Sequence, residues 1–318
     1  MQIGVIDLDT SHPGAFHPLL AERGHRVVAL ANGGDVVPDE YVRQYAEERS
    51  IPHILDGVDA LVDAASTLGI DAVFVHSVNW DRHVERIGAL VAAGLPVQVC
   101  KPFAGRVAHL RQLQQWAADG ATITGGSALR WSATALAGRE HAPRRAYAAT
   151  FGHPLDYGIH AHTLVSSILG PGIEAVRSLD EDGRLSQLRW SDGRDALVDV
   201  QPAGTGYGFT ATVIGGSDES GRGGVHQFDA TGDDLYGPFL DATCALLTGD
   251  GDPAVAGNLD LLVEPELAAI AAHASVRRGG EWVRLDDDEA LADGDFDPTE
   301  FVAGYATTRR ESLGITTA

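Results

Sequence analysis

The sequence predicts an α/β protein, and three observations support this class. Over the first 125 residues, short apolar runs alternate with helical patterns, as in βαβ units around a parallel sheet. These runs are apolar throughout, which is typical of strands buried on both faces. After residue 126 the pattern changes to β segments separated by Gly- and Asp-rich turns. We therefore expect a Rossmann-like, doubly wound parallel sheet in residues 1–125 and an α+β domain with an open, mostly antiparallel sheet in residues 126–318.

The elements of the first domain follow from these runs in order. Strands are predicted at residues 2–6, 26–31, 72–76, 96–99 and 121–124. Helices are predicted between them, including residues 38–48 and 80–93. The second of these helices has apolar side chains at helical spacing, so one of its faces is expected to pack on the sheet.

The second domain is predicted from shorter signals. Its β segments lie at residues 186–200, 207–215 and 224–230, followed by helices at 236–247 and 264–277 and a short closing strand at 282–285. The acidic, Gly-containing stretch 286–297 predicts an exposed linker to a final short helix.

The composition restricts the class of partner. The 45 acidic and 23 basic residues give a formal net charge of −22, whereas nucleic acid and anionic membranes require a basic surface. We therefore expect neither a nucleic-acid nor a membrane partner. Such acidity is typical of proteins from salt-loving organisms, with a high-GC genome as the alternative explanation. In either case it predicts a solvated surface.

Two cysteines, Cys100 and Cys244, are too few for a disulfide framework and are typical of a reducing compartment. The chain begins with a predicted strand where a signal peptide would have a basic segment and an apolar run, and no run of 18 apolar residues follows. We expect a cytoplasmic protein.

Lys101 is the single lysine of the chain, so 22 of the 23 basic residues are arginines. An ammonium group can lose its proton when it is desolvated, whereas a guanidinium group effectively cannot. A composition that keeps lysine only in Val99-Cys100-Lys101-Pro102-Phe103 predicts a site where arginine could not serve, in acid/base or substrate-orienting chemistry.

Polar residues follow the predicted strands at the edge where doubly wound sheets bind ligands. They are the loop from Asp7 to His12, then Asn32, then Ser77 and Asn79, then Cys100 and Lys101. In the second domain, Asp156 and His160 would lie on one helical face at positions i and i+4. We expect these segments to converge on one crevice.

The order of Asn79 with His83, then Cys100-Lys101-Pro102, then Asp156-x-x-x-His160 resembles the Gfo/Idh/MocA family (glucose-fructose oxidoreductase, inositol dehydrogenase and MocA). The resemblance extends through residues 236–247 and 268–285, which are similar to the family's closing helices and last strand, so it covers nearly the whole chain. It implies an NAD- or NADP-dependent dehydrogenase that acts on a sugar, cyclitol or related polyol, with Lys101, Asp156 and His160 around the reacting hydroxyl. The residues assigned to the cofactor are Asp9, Thr10, Ser11, His12, Asn32, Ser77, Asn79 and His83.

The chemistry of the three catalytic candidates agrees with this interpretation. A neutral His160 is suited to accept the hydroxyl proton, Lys101 can donate a hydrogen bond to the same oxygen, and Asp156 would orient the substrate or tune His160. The alternatives are a helix N-cap for Asp156 and a core-packed His160.

Residues 7–12, here called the nucleotide loop, depart from the family pattern. Asp7, Asp9 and His12 stand where Gly-x-Gly-x-x-Gly has its three glycines, which permit close approach to a pyrophosphate. A carboxylate about 4 Å from a phosphate would repel it by roughly 4 kcal/mol near a protein surface. A protonated His12 and the hydroxyls of Thr10 and Ser11 would offset this repulsion. Asn32 stands where an acidic residue would hold the ribose, and it does not distinguish NAD from NADP.

Two interpretations of the nucleotide loop stay open. The loop could bind a dinucleotide in an altered geometry, with Asp9 facing away or capping the next helix. Alternatively, the pocket could serve a non-redox lyase or isomerase, or a non-catalytic binding protein. In that case Asp7, Asp9, His12, His160 and His162 would have another role, such as holding a divalent cation. The wide spacing of these residues is a weak metal signal, so we assign no metal ligand. Cys100 is expected to be a buried thiol or, alternatively, a nucleophile. The open sheet predicts a homo-oligomer, a dimer or tetramer.

Overall fold

The computed structural model describes residues 1–205, 208–217 and 223–315. A six-stranded parallel sheet in its first part has the strand order β3-β2-β1-β4-β5-β6. The strands of this sheet are β1 (Gln2–Ile6), β2 (Arg26–Ala31), β3 (His53–Leu55), β4 (Ala72–Val75), β5 (Val97–Val99) and β6 (Ile123–Gly125). Their order reverses between β1 and β4, which is the point where such sheets bind ligands.

Helices connect these strands, because parallel strands require crossover connections. They are α1 (His12–Glu22), α2 (Asp39–Glu48), α3 (Gly57–Leu68), α4 (Asp81–Ala92) and α5 (Val107–Ala118). Strands β1, β4 and β5 are buried over nearly their whole length, as their apolar sequences predict. The predicted Rossmann-like architecture is confirmed.

A second, seven-stranded sheet has the order β12-β11-β7-β10-β9-β8-β13. Its strands are β7 (Pro143–Phe151), β8 (Ile173–Ser178), β9 (Leu185–Trp190), β10 (Asp195–Gln201), β11 (Thr210–Ser217), β12 (Gly223–Asp229) and β13 (Val283–Arg284). The later helices are α6 (Ala133–Glu140), α7 (Gly158–Leu169), α8 (Tyr236–Leu247), α9 (Leu259–Arg277), α10 (Asp288–Ala292) and α11 (Thr299–Ser312). Only β7 and β10 pair in parallel within this part of the structure, so the sheet is mostly antiparallel, as predicted.

The sequence was less informative about the limits of individual elements. The predicted segment 186–200 is a hairpin of β9 and β10, and Tyr207, at the start of the next predicted segment, lies outside the described residues. The expected exposed linker at 286–297 is wrong. It contains α10, whose Leu291 is fully buried, and Asp295 accepts a hydrogen bond from Val107 N at the start of α5. Polar residues at both ends of this stretch concealed the short apolar helix within it.

Helix α11 brings the end of the chain back to the first sheet. Arg309 donates to the carbonyl oxygens of Asp9 and Thr10 at 3.2 and 3.0 Å, and Arg310 donates to Val36 O at 2.7 Å. The final helix therefore packs directly over the nucleotide loop. No helix among the described residues is long and apolar enough to cross a membrane. Strand β6 ends at Gly125, where the boundary between the two domains stays a prediction.

Candidate active site

A cavity of about 310 Å³ lies at the carboxyl edge of the parallel sheet, between this sheet and the second domain. Its volume is suited to a small molecule. The polar side chains that line it come from both domains. They are Thr10, Ser11, His12, Gln98, Cys100, Lys101, Asp156, Tyr157, His160, Thr231, Tyr236 and Tyr305. The structure thus brings all three catalytic candidates to one cavity.

Lys101 and Asp156 form an ion pair in the wall of this cavity. Lys101 Nζ lies 2.7 Å from Asp156 Oδ1 and also donates to Asp156 O at 3.1 Å. Both side chains are largely buried, with exposed fractions of 14% and 7%. Asp156 lies in the turn before α7, whose N-cap residue is Tyr157, so its carboxylate binds Lys101 and does not cap the helix.

The ion pair fixes the protonation state of Lys101. Burial alone would lower the pKa of Lys101, but the Asp156 carboxylate and the hydrogen bond to it raise the pKa above its usual value. The side chain therefore remains an ammonium group at neutral pH. It is suited to hydrogen-bond donation. The sequence suggested that Lys101 could lose its proton where an arginine could not, and the ion pair with Asp156 opposes that loss.

His160 occupies the first turn of α7 and faces the same cavity. Its Nδ1 lies 2.7 Å from Ser127 Oγ, a side chain that follows β6. Burial lowers the pKa of His160 well below 6.5, and the positive charge of Lys101 lowers it further. The imidazole is therefore neutral. With Nδ1 bonded to Ser127, Nε2 is the nitrogen available to a bound molecule.

Glu266 supports the segment that carries Lys101. This buried residue of α9 accepts hydrogen bonds from Phe103 N at 2.7 Å and Ala104 N at 3.2 Å, two and three residues after the lysine. Burial raises the pKa of Glu266 to about 8. The carboxyl group thus holds the backbone of this loop at a cost in desolvation.

Cys100 is a buried thiol beside His12. The distance from Cys100 Sγ to His12 Nδ1 is 2.9 Å, and Thr10 Oγ1 lies 3.4 Å from the same nitrogen. Burial raises the pKa of Cys100 to about 12 and lowers the pKa of His12 to about 3. Cys100 is therefore no thiolate nucleophile in this state, and His12 carries no charge that could offset a carboxylate.

Asp7, the first aspartate of the nucleotide loop, has a backbone conformation that is typical of glycine. Asp7 has φ of +64°, a left-handed conformation that glycine adopts most readily. Its carboxylate accepts hydrogen bonds from Gly33 N at 2.6 Å and Ser77 Oγ at 2.5 Å, and it forms a buried ion pair with Arg86. A Cβ at Gly33 would collide with the Arg86 guanidinium group, so this packing requires a glycine at position 33. The charge of Asp7 is neutralised inside the protein.

The second aspartate also points away from the cavity. Asp9 is fully buried, and its Oδ2 accepts a hydrogen bond from Val78 N at 3.1 Å. Burial, with the nearby Asp7 carboxylate, raises the pKa of Asp9 to about 7. Of the two geometries considered for Asp9, the structure shows the one that faces away. Ser11 is the N-cap residue of α1, so Asp9 does not cap that helix.

The remaining cofactor candidates lie outside the cavity. Asn32 donates to Val37 O at 3.2 Å and lines a separate groove beside α4, and Asn79 Oδ1 accepts from Asp81 N at the start of α4. His83 is fully buried, with both ring nitrogens 3.0 Å from carbonyl oxygens. Ser77 is buried and bonded to Asp7. Of the eight candidates, three line the cavity, namely Thr10, Ser11 and His12.

Several residues at the site escaped the sequence-based search. Ser127 and Glu266 act through partners far away in the chain, so no short motif marks them. From the sequence, Arg86 would be taken for a solvent-exposed arginine of a helix, although its side chain is only 5% exposed. The Gly125-Gly126 pair before Ser127 was the one available signal, because both glycines have positive φ at the end of a strand.

Several solved structures share this architecture. The sequence matches no protein-family model and no curated protein. By structure, it is similar to a putative myo-inositol dehydrogenase from Sinorhizobium meliloti, with 17% identity over 90% of this chain and 99% of the other and a TM-score of 0.70. Scyllo-inositol dehydrogenase from Lactobacillus casei, solved with NAD(H) and scyllo-inositol, shows 17% identity over 90% and 99% with a TM-score of 0.66.

A third similar structure is an oxidoreductase from Agrobacterium radiobacter in complex with NAD+, L-tartaric acid and magnesium. It shares 14% identity over 90% of this chain and 98% of the other, with a TM-score of 0.69. At these identities the similarity establishes the architecture, over nearly the full length of both chains. The resemblance seen in the sequence is confirmed at this level, and the protein has the fold of the inositol dehydrogenases and oxidoreductases of the Gfo/Idh/MocA type.

Proposed function

We propose that the protein is an NAD(P)-dependent oxidoreductase that acts on a hydroxyl group of a sugar, cyclitol or related polyol. The observation that carries this proposal is the meeting of the Lys101–Asp156 ion pair and neutral His160 at one small cavity. A donor and a base on one cavity are what the oxidation of a hydroxyl requires. Polyol dehydrogenases among the similar structures support the substrate class.

The cavity-facing surface of the nucleotide loop fits a dinucleotide phosphate. Both carboxylates are turned into the protein, so neither Asp7 nor Asp9 lines the cavity. Thr10 and Ser11 face it at the N-terminus of α1, where their hydroxyls and the positive end of the helix dipole favour an anion. These residues would hold the phosphates of a dinucleotide, whose nicotinamide is the group that reacts. When bound, this group supplies a hydride acceptor.

Lys101 and His160 then have different roles toward the substrate. Lys101, held by Asp156, donates a hydrogen bond to the reacting oxygen and stabilises negative charge on it. His160 takes the hydroxyl proton at Nε2, provided that Nδ1 carries a proton and donates it to Ser127 Oγ. Its lowered pKa keeps Nε2 free at neutral pH. Tyr157, whose ring lies 5.1 Å from Lys101 Nζ, helps to shield the pair from water.

The experiment that tests this proposal separates cofactor binding from turnover. NADH and NADPH are titrated while nicotinamide fluorescence is followed, and polyols are then screened by the absorbance of the reduced nicotinamide. We expect saturable binding of one dinucleotide and turnover that falls about 10²–10³-fold in Lys101→Met with binding retained. Absence of binding at millimolar dinucleotide in high salt would contradict the proposal.

A second candidate function is a non-redox lyase or isomerase that uses the same pocket. Two hydrogen bonds favour this function, from Ser77 Oγ to Asp7 and from Val78 N to Asp9. They connect the loops after β1 and β4, and a dinucleotide would have to lie between these loops. Arg309 of α11 covers the same loop. This enzyme would convert a polyol without any added dinucleotide, and product detection by NMR in a dinucleotide-free reaction distinguishes the two.

We also propose that the second sheet forms a homo-oligomer. Its helices cover one face, whereas Val225 of β12 and Ile214 of β11 remain 68% and 49% exposed on neighbouring strands. Exposed apolar side chains that pair across strands are typical of an interface. Light scattering should show a dimer or tetramer, and Val225→Arg should shift it toward the monomer. A monomeric unsubstituted protein would contradict this proposal.

A further inference from the structure

Three potential metal ligands meet at the carboxyl ends of β1, β4 and β5. His12 begins α1, and His76 and Cys100 each directly follow a strand. One ligand atom from each side chain lies within 4.8 Å of the other two, and His12 Nδ1 is 2.9 Å from Cys100 Sγ. Tetrahedral zinc ligands lie about 3.5 Å apart, so the three atoms are close enough to share one ion once His12 and Cys100 separate by roughly half an ångström.

We propose that His12, His76 and Cys100 form a zinc-binding site whose fourth coordination position opens to the cavity. His12 and Cys100 both line that cavity, so a bound ion would be accessible to a small molecule in it. Three protein ligands with one open position are the pattern of catalytic zinc. This site goes beyond the proposed function and does not depend on dinucleotide binding.

His76 gives independent support for a ligand. The side chain is only 1% exposed, and its Nδ1 has no hydrogen-bond partner among the residues that the structure describes. The neighbouring rings of Phe16 and Phe74 are apolar and offer it none. A buried polar group without a partner is costly, and an ion between the three side chains would give this imidazole a polar partner.

The protonation states suit metal binding. A neutral imidazole has one unprotonated ring nitrogen, which is the form in which histidine binds a metal. Cys100 carries a proton in the metal-free state. On binding, the S–H bond breaks, the sulfur–zinc bond forms and the proton passes to solvent.

The donor types favour zinc. Two imidazoles and a thiolate suit a borderline-soft ion, whereas magnesium and calcium require oxygen ligands. The chain also gathers three carboxylates, from Asp7, Asp9 and Asp35, but the Arg86 guanidinium group already lies among them. Zinc at the His12 site would polarise a substrate oxygen as a Lewis acid, in addition to the hydrogen bond from Lys101.

The test measures metal binding without substrate or dinucleotide, so its outcome is separate from that of the proposed function. The purified full chain is supplied with zinc, dialysed against metal-free buffer and analysed for metal by mass spectrometry. Cobalt(II) is then titrated into the metal-free protein, and the charge-transfer absorption of a thiolate–cobalt bond is followed. We expect one zinc ion per chain and this absorption band.

Matched variants identify the ligands. Cys100→Ser should abolish the band and most of the retained zinc, and His76→Asn should release most of the zinc. The control Cys244→Ser removes the other, buried thiol outside the cluster, and His162→Asn removes another buried histidine. Both controls should bind metal as the unsubstituted protein does. If Cys100→Ser does not fold, the band in Cys244→Ser still assigns the thiolate, because no third cysteine exists. Absence of zinc and of the band in the unsubstituted protein would overturn the proposal.

Discussion

At the substrate end of the cavity, Lys101, Asp156 and His160 present an ammonium group and a neutral base to the open space. At the nucleotide loop, Asp7 and Asp9 are turned inward and meet Arg86 and Val78. Both regions contain aspartates in loops that follow strands, yet one region exposes its polar groups to a ligand. The other buries them within the protein, where Asp7 is bonded through both oxygens and Asp9 through one. Residue type at a strand end therefore does not by itself predict a binding role. The direction of the side chain decides it.

The comparison depends most on Arg86. Its replacement by methionine would leave Asp7 buried without its counter-ion, and breaking a buried pair in this way costs about 3–5 kcal/mol. We expect Arg86→Met to lower the free energy of unfolding by that amount in urea denaturation. The double variant Asp7→Asn/Arg86→Met should recover most of the loss.

Arg82→Met is the matched control, because Arg82 also belongs to α4 but is 47% exposed, and it pairs with Asp35 at 3.2 Å. An exposed pair contributes about 0–1 kcal/mol. If Arg86→Met cost no more than this control, the nucleotide loop would not depend on internal neutralisation.

Lys101 tests the other side of the comparison. Removal of a donor that stabilises developing charge typically lowers turnover about 10²–10³-fold, so we expect Lys101→Met to lose that much kcat with dinucleotide affinity unchanged. Lys101→Arg keeps the charge but cannot place a compact ammonium group between Asp156 and the substrate. Full activity in either variant on the true substrate would remove Lys101 from the reaction.

Glu266 gives a smaller, pH-dependent effect. Because burial raises its pKa from 4.5 to about 8, the folded chain retains a proton there that the unfolded chain has lost between these pH values. The contribution of Glu266 to the free energy of unfolding should therefore fall as pH rises from about 5 to 8, by on the order of 1–3 kcal/mol.

Urea denaturation across this pH range checks the sign. Glu266→Gln should gain stability relative to the unsubstituted protein as pH rises, whereas Glu300→Gln, on the exposed side of α11, should follow the unsubstituted protein. An unchanged pH dependence in Glu266→Gln would assign it to other groups.

The sequence predicted the parallel sheet and the residues at its ligand-binding edge, because buried strands and the residues that follow them are local features. It placed Lys101, Asp156 and His160 together through a family resemblance that the fold confirms. It could not show that Asn32, Asn79 and His83 lie away from the cavity, because a residue after a strand can point to either side. Strand β7 was missed, since its arginines interrupt the apolar pattern. The contacts of Arg86 and Ser127 depend on the tertiary fold.

Ser127 gives the smallest expected effect and distinguishes positioning from stability. Ser127→Ala removes the partner of His160 Nδ1, a hydrogen bond of about 1 kcal/mol, so kcat should fall about fivefold with KM little changed. Ser127→Thr should restore the rate, because it keeps the hydroxyl. Ser127 Oγ also accepts a hydrogen bond from Leu129 N at the start of a short 3-10 helix, Ala128–Trp131. Ser132→Ala is the matched control, since Ser132 Oγ accepts from Ala135 N at the start of α6 but does not reach His160. It should lower stability by about 1 kcal/mol and leave kcat and its pH profile unchanged. If both serine variants changed kcat equally, the loss would come from the loosened helix starts and Ser127 would not orient the base.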